Sequence, residues 1–228
     1  MTLKKLAAQL PKQWQQELKR IYFRWQIRKN CFVTDEQEYH ILETLIGKGD
    51  WVIDIGANIG HYTAKFSKLV GKNGRVIAFE PVPHTFELLA ANSSLLPDTN
   101  VTLINAAVST NVGIANIDIP KFESGLENYY MANLTGNATD LKVLCLPLDS
   151  FYFPNLITLI KIDAEGHELS VLEGMKTLLN RDHPHLIVED NNSPELVAFL
   201  KKLGYVDQKF KGSSNRIFRN NNSSISKS

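Results

Sequence analysis

The segment Trp51-Val52-Ile53-Asp54-Ile55-Gly56-Ala57-Asn58-Ile59-Gly60 constrains this chain more than any other: an apolar strand holding one acid turns directly into a loop with two glycines. A near-continuous apolar run is what a strand buried on both faces requires. Gly56 and Gly60 remove the Cβ atoms that would hold the backbone away from a ligand. Beyond Gly60, residues Tyr62, Phe66, Leu69 and Val70 recur at helical spacing, so the loop opens a helix whose first N–H groups can receive an anion. Strand, glycine loop and helix together form the opening unit of a parallel α/β sheet.

The spacing bears on which ligand sits there. A dinucleotide fingerprint reads G-x-G-x-x-G, whereas this loop reads Asp-x-Gly-x-Asn-x-Gly, with Asn58 in the second glycine's place. That weakens the alternative of a nicotinamide-dependent dehydrogenase. Asp54 suits a cationic amine and the helix N-terminus suits a carboxylate, the pair carried by the methionine half of S-adenosylmethionine. A second strand, 75–79, ends at Glu80-Pro81, twenty residues past Gly60. A carboxylate there can accept from both ribose hydroxyls. A third strand, 101–104, delivers Asn105 and Ala106 to the same edge. The expected cofactor-binding set is therefore Asp54, Gly56, Asn58, Gly60, Glu80, Pro81, Asn105 and Ala106.

Further along, Leu159-Ile160-Lys161-Ile162-Asp163-Ala164-Glu165-Gly166-His167-Glu168, followed by Val171-Leu172-Glu173-Gly174, resembles the second signature of the FkbM-type methyltransferases, a family of S-adenosylmethionine-dependent enzymes. Asp54 to Gly60 continuing into Tyr62-Thr63 resembles the first. Phe79-Glu80-Pro81, Leu148-Asp149 and a late strand ending in Glu189 also fit, over roughly residues 34–206. The resemblance implies a doubly wound, Rossmann-like class I methyltransferase sheet, mostly parallel with a reversed C-terminal edge strand. It also implies S-adenosylmethionine as cofactor and a sugar or small-molecule hydroxyl as acceptor.

With 228 residues the chain suits one well-buried domain. Its organisation reads as a basic helical extension over 1–33, a catalytic domain over 34–219 and a disordered Asn/Ser-rich tail over 220–228. Lys+Arg at 25 against Asp+Glu at 24 gives no global charge that points to nucleic acid. Cys31 and Cys145 lie outside any C-x-x-C pattern, which argues against a disulfide framework or a zinc site. No stretch approaches the length of a membrane span and no signal-peptide core opens the chain, so a cytoplasmic protein is expected.

Charge is nonetheless uneven. Residues 1–30 hold eight basic side chains against the single acid Glu17, a balance of +7 that leaves −6 for the remainder. Leu3, Leu6 and Leu10, then Trp14, Leu18, Ile21 and Trp25, recur at three or four residues, which predicts basic amphipathic helix interrupted near Pro11. Such a helix either packs on its own domain or docks on an anionic membrane or a partner; in the latter case the chain could be a non-catalytic cofactor-binding module.

The later elements are clearly punctuated. Strands are expected over 112–119 and 141–147, with an irregular, aromatic-rich stretch from Lys121 to Asp140 that is either a substrate lid or a surface hairpin. Leu169, Leu172, Met175, Leu178 and Leu179 give one helical stripe. Ser193 and Pro194 open a last helix that Gly204 closes.

Methyl transfer to a hydroxyl needs close approach and a base. Asp163, Glu165 and His167 place three titratable groups in five residues at the carboxyl edge of the fourth parallel strand. Asp163, nearest the strand end, is the leading base and His167 the alternative; Glu165 serves either binding or catalysis. No metal is predicted, although Asp163 with Glu189, Asp190 or Asn191 would suit Mg²⁺.

Overall fold

In the computed structural model, which describes residues 11–122, 127–189, 193–209 and 213–220, the alternation of strands and helices becomes two sheets. Helices α1 (Lys12–Arg28) and α2 (Gln37–Ile41) precede β1 (Trp51–Ile55), α3 (His61–Val70), β2 (Arg75–Phe79), α4 (Pro83–Ser93) and β3 (Val101–Ile104). Four short strands follow: β4 (Ala107–Val108), β5 (Gly113–Asp118), β6 (Asn133–Thr135) and β7 (Lys142–Leu146). The chain then returns through β8 (Ile157–Ile162), α5 (Glu168–Glu173), α6 (Lys176–Asp182), β9 (His185–Glu189), α7 (Pro194–Lys202), β10 (Tyr205–Lys209) and β11 (Asn215–Asn220).

The main sheet has the order β10-β11-β9-β8-β1-β2-β3, parallel from β9 to β3. From β1 the chain winds outward to β3, then returns to start β8 on β1's other side. That reversal opens a crevice at the carboxyl ends of the central strands, where folds of this kind bind ligands. The reversed strand is β11, antiparallel to both β9 and β10, so it lies one place in from the edge rather than at it. The hairpin folds its second, more apolar arm inward: Ile217 and Phe218 are buried, whereas Val206 on β10 is exposed.

Strand alternation divides the core. Ile53, Ile55, Phe79, Ile160, Ile162 and Val188 face Val171, Leu172, Leu178 and Leu200 on α5 to α7. Val52, Val76, Leu159 and Ile187 face Tyr39, Tyr62, Phe66 and Val70 on α2 and α3. Each fully buried aliphatic or aromatic side chain of this kind contributes about 1.5–3 kcal/mol.

The helical stripe over 169–179 is two helices, not one, broken at Gly174 and Met175. A Cβ on Gly174 would lie 2.0 Å from the Ser109 carbonyl oxygen, so only glycine lets the α5 end approach the strand connection there. Asp149 then starts α6, its carboxylate accepting from Thr177 N (2.8 Å) and Leu178 N (3.0 Å). Ser193 Oγ likewise accepts from Leu196 N to cap α7.

The strands expected over 112–119 and 141–147 form a separate sheet, β4-β7-β5-β6. The described part of the stretch over 127–140 is less irregular than its composition suggests: it carries β6, paired antiparallel with β5, and a helical turn at Tyr129–Met131. Helix α1 begins after Pro11 and packs on the domain through Phe23 and Ile27 against Phe32, Ile59 and Leu88. Asn220, read as the first residue of the disordered tail, instead ends β11, buried and paired with Tyr205 because the hairpin runs one residue further; Leu3, Leu6, Leu10 and residues 221–228 lie outside the described residues.

Candidate active site

At the crevice, β1, β2 and β8 are stitched tip to tip. Gly56 N and Ala57 N donate to Phe79 O, and Asp163 N donates to Ile55 O. Gly56 has φ +72°, and a Cβ on it would fall 1.8 Å from the Asp163 carbonyl oxygen. The glycine is thus required by both conformation and space. Asn58 also takes a left-handed conformation, φ +50°, which asparagine tolerates better than most residues. Its N–H donates to Glu80 Oε2 at 2.9 Å, while Val82 N donates to Glu80 Oε1 at 3.0 Å. Glu80 is 5% exposed. Burial pushes its carboxyl up to about 7, against the pull of those two donors.

These groups border a cavity of about 240 Å³. Gly56, Asn58, Glu80, Pro81 and Ala106 line it, together with Asp163, Glu165 and His167. Three expected site residues support the wall without forming it. Gly60 is the N-cap of α3. Asn105 Nδ2 donates to the carbonyls of Glu80 (2.8 Å) and Pro81 (3.0 Å), pinning that turn.

Asp54 is the third, and its position departs from expectation. It is fully buried, and its Oδ2 accepts from Thr63 Oγ1 at 2.5 Å. Alternation explains this: Asp54 shares the face of Val52, which is covered by α3, rather than pointing beyond the strand tip. Directly across the ladder on the same face is Lys161, whose ammonium contacts Asp163 Oδ2 at 2.8 Å and lies 4.8 Å from the Tyr62 ring centroid. Burial drives the Asp54 carboxyl upward, only partly offset by Lys161 and Thr63. Burial alone would lower the Lys161 ionisation, but Asp163 and Asp54 outweigh it and the ammonium is held above the ordinary lysine value. A lone lysine inside an apolar strand, in register with one acid and two residues before another, was the signal for this buried cluster.

The turn after β8 is built to project one side chain. Glu165 has φ +48° and Gly166 φ +91°, a costly conformation for a bulky residue. Glu168, buried at the start of α5, braces it: its Oε1 accepts from Ala164 N (3.2 Å) and Gly166 N (3.0 Å). Burial, then Asp163 and Glu168, push the Glu165 carboxyl up to about 7. Glu189, at the end of β9, also lines the cavity and is raised to about 7 by burial and by Asp163 and Glu165. His167 Nε2 lies 2.9 Å from Ser109 Oγ, and burial lowers its ionisation below the usual value. Asp163, Glu165 and Glu189 bring ligand oxygens within 4.8 Å of one another. Asp190 and Asn191, the other metal candidates, lie outside the described residues.

The remaining wall was only partly legible in the sequence: the aromatic stretch 121–140, read as a lid or a surface hairpin, supplies part of it, and the rest carried no local signal. Ile117, Tyr129, Tyr130, Ala132 and Leu134 close the cavity from the second sheet and its connection, giving the aromatic stretch a place in the site. Glu36, Ser214 and Asn215 close it from the ends of the domain. They are tied together: the Tyr62 hydroxyl lies 2.5 Å from Glu36 Oε2 and 3.1 Å from Glu38 Oε1, and buried Glu38 accepts from Ser213 Oγ (2.7 Å) and Asn215 Nδ2. Burial and these two acids raise the Tyr62 phenol well above its ordinary value. No local pattern marks residues that meet across 175 positions of chain.

The sheet order, the stitched glycine loop and the acid-bordered cavity define a Rossmann-like domain of the class I methyltransferase type. The chain belongs to the methyltransferase FkbM domain family, whose model matches residues 54–206. It is 31% identical over 134 residues to the hexuronic acid methyltransferase AglP of Haloferax volcanii, covering 57% of this chain and 52% of that protein. The crystal structure of methyltransferase FkbM from Methylobacillus flagellatus KT superposes with a TM-score of 0.55 at 17% identity, over 75% of this chain and 43% of that one. Fibrillarin from Aeropyrum pernix, with natively bound S-adenosyl-L-methionine, gives 0.50 at 14% identity, over 80% of this chain and 73% of its own. The chain thus spans about half the length of that curated relative and less of the FkbM structure.

Proposed function

We propose that this chain is an S-adenosylmethionine-dependent O-methyltransferase acting on a hydroxyl of a small molecule, and of a neutral sugar in particular. The observation that carries this proposal is a single cavity lined by two chemically distinct sets of residues: Gly56, Asn58 and Glu80 from the ends of β1 and β2, and Asp163, Glu165, His167 and Glu189 from the ends of β8 and β9. The first set fits the cofactor, with a buried carboxylate for the ribose and a glycine loop open to close backbone approach. When bound there, S-adenosylmethionine supplies an electrophilic methyl group on a sulfonium.

This chain's residues orient the acceptor and take its proton. Asp163 is committed to Lys161 and is assigned a positioning role. Glu165, held on a braced and strained turn with its carboxyl near 7, is the proposed general base, because a base that titrates near the working pH combines the right protonation state with useful basicity. His167 is assigned to shaping the wall with Ser109.

Acceptor preference follows from charge. Beyond Glu80, which is assigned to the ribose, four carboxylates (Glu36, Asp163, Glu165 and Glu189) and no lysine or arginine line the cavity among the described residues. The AglP relative is a hexuronic acid methyltransferase, but such a wall disfavours an anionic uronate and favours a neutral polyol.

The test is S-adenosylhomocysteine release with neutral glycosides, uronic acids and a catechol. Neutral glycosides should turn over fastest, and Glu165→Gln should lower kcat by about 10²–10⁴-fold with cofactor affinity nearly unchanged. Full activity in Glu165→Gln would reject the base; cofactor binding with no release from any of the acceptors would favour a non-catalytic binding module. The Asp163, Glu165 and Glu189 oxygens also favour a second reading, a Mg²⁺ site. Activity lost to EDTA and restored by Mg²⁺ would make these acids ligands and the base assignment would fail.

A further inference from the structure

Helix α1 is already docked on the domain, yet it keeps a second apolar face. Its inner side is held by Gln16 Nε2 donating to Glu87 Oε2 (2.5 Å), by Arg20 beside the same carboxylate (3.5 Å) and by Phe23 against Phe32. On the opposite side Trp14, Leu18, Ile21 and Trp25 follow one another at steps of four, three and four, with Tyr22 alongside. They are respectively 65%, 48%, 62%, 54% and 53% exposed. Docking therefore leaves a continuous stripe of two tryptophans, a tyrosine and two aliphatic side chains in water. Scattered exposed apolar residues are ordinary, but an aligned stripe on one helix marks an interaction surface.

We propose that α1 is a membrane-docking helix that seats the Trp14–Trp25 stripe in the interface of an anionic bilayer. Charge selects this occupant. The helix carries Lys12, Lys19, Arg20, Arg24 and Arg28 against Glu17 alone, and Glu17 is close to Arg20. Arg24 and Arg28 flank the stripe on the helical wheel, are exposed, and have no partner among the described residues. A second copy of the chain would bring the same cations face to face, whereas anionic headgroups offer the opposite charge across a plane. Tryptophan and tyrosine are the side chains that favour the headgroup level. No described helix is long and apolar enough to cross a membrane, so α1 lies on the surface. Lys19 Nζ sits 5.4 Å from the ring centroid of Tyr129, a cavity-lining residue, which places the docking helix beside the site.

The full-length protein should co-sediment with vesicles of phosphatidylcholine and phosphatidylglycerol, more weakly at high salt, and not with phosphatidylcholine alone. Trp14→Ser with Trp25→Ser should lower vesicle partitioning by on the order of tenfold or more, with melting temperature and S-adenosylhomocysteine affinity unchanged. Arg24→Glu with Arg28→Glu should do the same without touching the apolar stripe. Failure to bind anionic vesicles while cofactor binding is intact would overturn the proposal. So would vesicle binding that neither double variant weakens, or a dimer in sedimentation velocity that the tryptophan variant dissolves. Cofactor affinity is read separately, so failure of the helix to dock is distinguishable from failure of the methyltransferase assignment.

Discussion

If Glu80 holds the cofactor ribose, affinity must follow its ionisation. The group is 5% exposed, receives one backbone N–H on each oxygen and titrates near 7. A ribose needs the remaining acceptor capacity of the ionised form, so below about pH 7 a proton competes with the ligand. Binding then releases a proton, and affinity rises with pH up to about 7 before levelling. One unit below that point only about a tenth of the carboxylate is ionised, so S-adenosylhomocysteine should bind about tenfold more weakly at pH 6 than at pH 8, or about 1.4 kcal/mol. Glu80→Gln removes the titration and turns an amide N–H₂ toward one of the two backbone donors. It should therefore flatten the pH profile and cost roughly 1–3 kcal/mol of stability. Calorimetry between pH 6 and 8, in buffers of different ionisation enthalpy, reads both the affinity and the proton. A flat wild-type profile, or the same slope in the variant, refutes the role given to Glu80.

Other perturbations probe the frame around the site. Gly56→Ala puts a methyl 1.8 Å from the Asp163 carbonyl at φ +72°; it should destabilise by about 3 kcal/mol or more and abolish cofactor binding, read by thermal shift with and without ligand. Lys161→Met strands Asp54 and Asp163 without their shared cation and should cost about 3–5 kcal/mol in urea unfolding, partly restored when Asp54→Asn is added. His61 packs on Phe32 at 4.2 Å between centroids, and burial lowers its ionisation to about 4. Because the unfolded state binds the proton more tightly, stability should fall as pH drops from about 6.5 to 4, by at most about 3 kcal/mol, and His61→Phe should flatten that limb. With Glu165 as base, kcat/KM should rise through about pH 7, and Glu165→Gln should remove that limb.

The parts of the molecule that obey short periods were legible in the sequence. Continuous apolar runs and helical spacing placed β1, β2, β3, β8 and β9, and Ser193, Pro194 and Gly204 marked both ends of α7. Gly56, Asn58, Glu80 and the Asp163–His167 turn sit on the cavity because strand ends in a parallel sheet share one edge. Asp54 went astray because position at that edge was weighed above the period of two, which turns its side chain under α3 with Lys161. The break at Gly174 was hidden because it answers a tertiary contact with Ser109. Glu36, Ser214 and Asn215 meet only after the sheet has folded, and the order of the last two strands depends on which hairpin arm buries more.

The central claim is that the cavity binds S-adenosylmethionine through the glycine loop and Glu80 and presents a hydroxyl acceptor to Asp163, Glu165 and Glu189. The most direct test is turnover of S-adenosylmethionine bearing a trideuterated methyl, with a neutral glycoside as acceptor, followed by mass spectrometry and NMR of the product. The account predicts an intact CD₃ group on a sugar oxygen, with stoichiometric S-adenosylhomocysteine, and loss of both in Glu165→Gln. Label on carbon or nitrogen, or tight cofactor binding with no labelled product from any hydroxyl acceptor, would contradict it.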